Sequence, residues 1–143
     1  MKKKMEDRPI DVLIGELKSQ AVFVKKTAII QLEKKKATKA VPALMELVHD
    51  PEASIRGCVA WVLGEIGDSR VQPALMQLLA DMDSTVRRAA AQSLGKQGNA
   101  GANEILVKLC IDADRFVREA ATDALLNIKN RESVGVVHAP AGA

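Results

Sequence analysis

The side chains with the widest chemical repertoire are few in this chain and stand far apart. There are two histidines, His49 beside Asp50 and His138 near the end of the chain, and they share no metal-ligand spacing. The two cysteines, Cys58 and Cys110, form no Cys-x-x-Cys pair. Neither has a histidine or basic cluster at a fixed interval that would lower its thiol pKa. The segment Leu63-Gly64-Glu65-Ile66-Gly67 looks like a glycine-rich phosphate loop, yet it returns as Leu94-Gly95-Lys96-Gln97-Gly98 and so reads as structural punctuation. No Gly-x-Ser-x-Gly or dinucleotide fingerprint is present, so no catalytic constellation, cofactor site or metal site is expected. One basic series remains: Lys25, Arg56, Arg87 and Arg118 at a constant interval. Four cations at a fixed rise could track an anionic polymer, or they could serve the fold. Asp50, Asp81 and Asp112 stand six residues before the three arginines, which favours the second reading.

That interval is the period of the whole chain. Pro42-Ala43-Leu44-Met45 returns 31 residues later as Pro73-Ala74-Leu75-Met76. Aligned at this period the sequence forms four units, 9–39, 40–70, 71–101 and 102–132. Leu13, Leu44, Leu75 and Leu106 make one column; Leu32, Leu63, Leu94 and Leu125 another; Val24, Ile55, Val86 and Val117 a β-branched third. Repeats of this length belong to stacked arrays, because one unit cannot bury its apolar face alone. Within a unit, Leu44, Leu47 and Val48 carry the i, i+3, i+4 spacing of a first amphipathic helix, and Ile55, Val59, Val62, Leu63 and Ile66 that of a second. Pro42 and Pro73 mark first helical turns, and Gly67 and Gly98 mark left-handed helix ends. The acidic turns 50–52, 81–83 and 112–114 lie between the helices, with Glu52, Asp83 and Asp114 as expected N-caps. With no alternating strand pattern, no Tyr and only two Phe, the chain is expected to be all-α, a right-handed α-solenoid of four helix-turn-helix repeats.

The pattern Ala74-Leu75, Leu78, Asp81, Val86-Arg87, Ala90-Ala91 and Leu94-Gly95 resembles the short HEAT-like repeat first named for phycobilisome lyases. The resemblance covers about nine-tenths of the chain; the second and third units match best and the first is degenerate. It implies that each arginine of the basic series reaches back to its own acidic turn. Ser19 replaces Asp in the first unit, which would leave Lys25 less tied down. No His-Glu dipeptide exists, so the metal-holding variant of the family is not matched.

Charge is uneven along the array. Residues 1–39 carry eleven Lys and Arg against five Asp and Glu, a net +6, whereas 40–143 carry ten against thirteen, a net −3, which together give the +3 of the whole chain. The lysine-rich first unit and the basic extension 1–8 read as a soluble outer face for a terminal repeat, or else as a patch for an acidic partner, nucleic acid or an anionic membrane surface. Only Phe23 is interleaved among those lysines, so a base-stacking platform is missing and nucleic-acid binding ranks below protein binding. No apolar run can span a bilayer. Unpaired cysteines and the absence of a signal-like apolar segment point to a reducing cytoplasm. The tail 133–143, with Gly and Pro and no helical period, is expected to be disordered, or else extended over the last repeat. An uncovered last unit allows a monomer or a weak end-to-end dimer.

Arrays of this kind use exposed second-helix positions that vary between units. One such column is Ile30, Trp61, Gln92 and Asp123, flanked by Lys26, Gly57, Arg88 and Glu119 and by Glu33, Gly64, Gly95 and Leu126. Trp61 is either a core side chain or, given its polar column mates, an exposed anchor. The candidate partner surface is therefore Lys26, Ile30, Trp61, Arg88, Gln92 and Asp123. The function expected is a non-catalytic protein-binding or scaffold module. A bilin-lyase-related subunit that holds a chromophore or its acceptor protein is implied by the resemblance, and nucleic-acid binding through the first unit is a third reading.

Overall fold

The helix boundaries follow local chemistry. In the computed structural model, which describes residues 7–137, eight α-helices alternate short and long: α1 Ile10–Glu16, α2 Val22–Lys34, α3 Val41–Glu46, α4 Ala53–Ile66, α5 Gln72–Leu78, α6 Ser84–Gln97, α7 Asn103–Leu109 and α8 Arg115–Val137. Among the described residues there is no strand, and the chain is an all-α solenoid. The first helices of the units run only six or seven residues. Helices that short are marginal in water, so packing must hold them. Pro42 and Pro73 sit in the first turns of α3 and α5, where no backbone N–H is missed. Asp83 accepts from the amides of Thr85 and Val86, and Asp114 from those of Phe116 and Val117, each capping its long helix. Glu52 departs from that expectation. It occupies the N-cap of α4 without a side-chain bond, since its extra methylene suits the position poorly.

Successive long helices lie side by side and make the main contacts of the array, α2 on α4, α4 on α6 and α6 on α8. The leucines at 13, 44, 75 and 106 and at 32, 63 and 94 are fully buried, each worth about 1.5–3 kcal/mol of transfer free energy. Ile55, Val86 and Val117 are buried with them. Between helices the approach is set by glycine. A Cβ on Gly95 would lie 2.6 Å from the Cα of Ala124, and one on Gly64 would overlap the Ser93 side chain. That serine donates to the carbonyl of Ala60 at 2.7 Å, a buried bond between α4 and α6.

Gly67 and Gly98 end α4 and α6 at φ 74° and 72°. The same column holds Lys36, which ends α2 in the left-handed region at φ 50°, and Lys129, which does not end its helix at all. At Lys129 the helix runs on, and α8 continues to Val137, so residues 133–137 are helical and not the disordered or extended tail expected of them. Residues 1–6 and 138–143, with His138, lie outside the described residues.

The basic series is a ladder between units. Lys25 Nζ meets Asp50 Oδ2 at 2.5 Å. Arg56 places Nε and Nη2 on the two carboxylate oxygens of Asp81 at 2.8 and 3.1 Å, and Arg87 does the same to Asp112 at 3.0 and 3.0 Å. The remaining nitrogen, Nη1, reaches back to the unit's own turn and donates to the carbonyl of Asp50 or Asp81 at 2.8 Å. Arg56 and Arg87 therefore each touch their own turn through backbone and the next turn through carboxylate. This corrects the expectation for Lys25, whose partner comes from the following unit, so that Ser19 costs it nothing. Ser19 Oγ keeps the local turn by accepting from the Ala21 amide, as Asp50, Asp81 and Asp112 do from Glu52, Asp83 and Asp114.

Three outcomes follow from this packing. Gly95→Ala should lower stability by about 1–3 kcal/mol, because the contact it makes is with backbone. Lys36→Gly should raise it by up to about 1 kcal/mol by relieving the left-handed residue. Both are read from urea midpoints, and a Gly95→Ala midpoint equal to wild type would refute the close-approach account. The third concerns acid. The Arg87 hydrogen bond holds the Asp112 carboxyl below the usual range. At Asp81 burial pushes upward, but the Arg56 bond, the Asp83 amide and the Arg56 charge outweigh it. Depressed carboxyl values stabilise the fold above the unfolded carboxylate value of about 3.9, and that contribution is lost as pH falls through the folded value. Arg87→Gln should cost about 1–3 kcal/mol at neutral pH and flatten the loss of stability below about pH 4. An unchanged acid slope would detach the ladder from acid unfolding.

Candidate functional site

The long helices α4, α6 and α8 together wall an open groove of about 700 Å³. Trp61 projects from the middle of α4 and is 45% exposed, which decides between the two sequence readings: it is not a core residue. Gln92 and Asp123, its column mates on α6 and α8, line the same groove. Ile30, from that column on α2, instead lines a separate groove of about 450 Å³ with Thr27, Gln31, Lys34 and Lys35. Lys26 and Arg88 line neither groove. Arg88 lies over the ring of Phe116, 5.2 Å from its centroid, a cation–π contact that links α6 to α8. Of the flanking glycines expected on the surface, Gly57 is half-buried and Gly64 and Gly95 are buried in helix–helix contacts, Gly95 reaching the groove only through its backbone.

Sequence reasoning missed half of the groove. Glu65, Lys96 and Asn127 lie one turn beyond Trp61, Gln92 and Asp123, and they form a 31-residue column of their own. Counting four residues further along each long helix would have found them. Lys96 Nζ meets Glu65 Oε1 at 2.5 Å, an ion pair between α4 and α6 across the groove floor. Asn130 and Arg131 complete the wall. They had no sequence signal, because they line the groove only once α8 runs past Lys129. Arg131 is further positioned by Gly98, where a Cβ would lie 2.6 Å from its Cδ.

Chemically the groove offers one aromatic face, three amide side chains, a paired Lys–Glu, a carboxylate and a guanidinium. Such a set can orient a polar surface around an apolar anchor. Burial pushes the Cys58 thiol up against the opposing pull of Lys26, the reverse of an activated nucleophile. Cys110 is a free thiol that donates to the carbonyl of Leu106 at 3.5 Å. His49 is exposed at the end of the turn after α3. Among the described residues no three His, Cys, Asp or Glu side chains group as a metal site, and no helix is long and apolar enough to cross a membrane.

Three of the seven lysines of the first unit are held in ion pairs, as is Arg8 of the extension. Besides Lys25 with Asp50, Lys36 pairs with Glu33, Lys39 with Asp11 and Arg8 with Glu16.

Comparison with known proteins agrees with this architecture. A family profile described as HEAT repeats matches residues 10–94 and 72–137. The structure of the complex of CpcE and CpcF of phycocyanin lyase from Nostoc sp. PCC7120 is similar at a TM-score of 0.78 and 25% identity, over 90% of this chain and 56% of that one. Human deoxyhypusine hydroxylase in complex with glycerol is similar at 0.74 and 28% identity, over 87% of this chain and 45% of that one. Epoxyqueuosine reductase of Bacillus subtilis (strain 168) is 46% identical over 46 residues, 32% of this chain and 12% of the reductase. The chain thus spans about half the length of the two solved chains and a small part of the reductase. With the profile covering nearly all of the helical array, the chain belongs to the HEAT-repeat family.

Proposed function

We propose that this chain is a non-catalytic binding module that holds a partner protein against its long helices, with Trp61 as the anchor. One observation carries the reading: a lone tryptophan, 45% exposed, on the wall of a groove already shaped by three packed helices. Large aromatics are costly to leave in water and dominate interface energetics when a partner buries them. Gln92, Asp123, Asn127 and Arg131 would supply the polar rim, and the groove needs no ordering before it binds. Ile30 and Lys26 extend the surface along α2, and Arg88 extends it one helical turn before Gln92 on α6. The free thiols of Cys58 and Cys110 fit a reducing cytoplasm as the place of action.

A second reading rests on the likeness to the phycocyanin lyase complex. In it the groove holds a bilin or its acceptor protein, Trp61 stacking on the pigment while Lys96 and Arg131 meet its carboxylates. A shift in pigment absorbance on mixing would support this reading, and an unchanged spectrum would remove it.

Trp61 is the chain's only tryptophan, so its fluorescence reports directly on the groove. Affinity capture should recover a partner with wild type and lose it with Trp61→Ala, with affinity falling by about 30-fold or more, the scale of a hot-spot residue. Circular dichroism of the variant should match wild type, because an exposed side chain contributes little to folding. Equal capture by the folded variant would exclude Trp61 as the anchor.

A further inference from the structure

The ladder has an open rung. Arg118 Nη1 donates to the carbonyls of Asp112 at 2.8 Å and Ala113 at 3.1 Å. This repeats the bonds by which Arg87 Nη1 is held to Asp81 at 2.8 Å and Met82 at 3.1 Å. The guanidinium is thus anchored as in the inner rungs, but among the described residues no carboxylate meets its Nε and Nη2 edge. Arg56 and Arg87 serve as internal templates for what that edge accepts: a single carboxylate, taken by both oxygens. We propose that Arg118 is a preorganised receptor for a carboxylate borne on an acidic turn of a separate partner chain, at the end of the array and apart from the Trp61 groove.

Three features select that occupant. A second copy stacked end to end would present Ser19 at the matching position of its first unit, and a hydroxyl cannot take both guanidinium nitrogens as a carboxylate does. The chain itself supplies no further turn through Val137, because α8 runs on where inner units reverse at glycine. Leu126, 53% exposed, stands in the column where Gly64 and Gly95 let the next helix approach closely. A helix packed as closely as those at Gly64 and Gly95 would collide with it, although α2 carries Glu33 in this column and still packs on α4; a turn reaching only the first two turns of α8 meets no such obstacle. The partner therefore approaches turn-first, and a fixed fork of donors already held at one nitrogen loses little freedom in binding it.

The test uses the ¹⁵N-labelled full chain and the arginine Nε–H resonances. The probe is a capped peptide copying residues 79–84, the acidic turn that Arg56 holds. Arg118 should shift saturably at about millimolar peptide, while Arg56 and Arg87, already occupied, stay in place. The peptide carrying Asp81→Asn should leave Arg118 unmoved, and Arg118→Lys should weaken binding about tenfold although the charge remains. Trp61→Ala should leave the titration unchanged, which separates this site from the groove. The proposal falls if Arg118 does not move, or if the solvent-facing Arg115 moves equally, which would mean charge attraction alone. It also falls if the chain by itself associates with rising concentration and Arg118→Gln abolishes that, which would make a second copy the occupant.

Discussion

The structure depends on a guanidinium that is used twice. Arg56 and Arg87 each bind the backbone of their own turn and the carboxylate of the next, at 17% side-chain exposure. Isolated surface ion pairs contribute little, but a planar fork with both oxygens engaged and its third nitrogen on a carbonyl is a geometric constraint as much as an energetic one. It fixes where one acidic turn stands relative to the next. Apolar burial supplies most of the driving force, yet leucines alone would tolerate small slides between units. The ladder and the glycine contacts together remove that freedom.

The groove inherits its shape from this constraint. Trp61, Gln92 and Asp123 share a repeat column, and they converge only because α4, α6 and α8 are held in register. Gly64 and Gly95 contribute by what they lack, since a methyl at either would push neighbouring helices apart and splay the walls. The Ser93 bond to Ala60 and the Glu65–Lys96 pair then tie two of those walls together. The surface where variation is free thus rests on columns where it is not.

Much of this was legible in the residues. The period predicted the helices, the buried leucine and β-branched columns apart from Leu125 and Val24, which are only half-buried, the left-handed glycines and the exposure of the Gln92 and Asp123 positions. Two kinds of fact were not. The direction of the ladder depends on how far one unit is rotated on the next, and intervals within a unit carry no information on that; hence Arg56 pairs forward with Asp81 while only its backbone bond goes back. The length of α8 was the other: Lys36 and Lys129 share a column, yet the first turns left-handed and ends its helix while the second stays helical to Val137. Asn130 and Arg131 were invisible for that reason, while Glu65, Lys96 and Asn127 lay in a column that needed only one more helical turn of counting.

The two ends of the array are not equally fastened. The last unit is gripped by a bidentate arginine, whereas the first is tied by Lys25, a single ammonium on a flexible stem, to Asp50. Its long helix α2 has Ala21 at the N-cap, without a side-chain bond, and is followed two residues past its end by Lys36 in a glycine's conformation. Local opening should therefore begin there, with the amides of α1 and α2 exchanging with solvent before those of α6 and α8. The array would fray from the lysine-rich end while its groove stays intact.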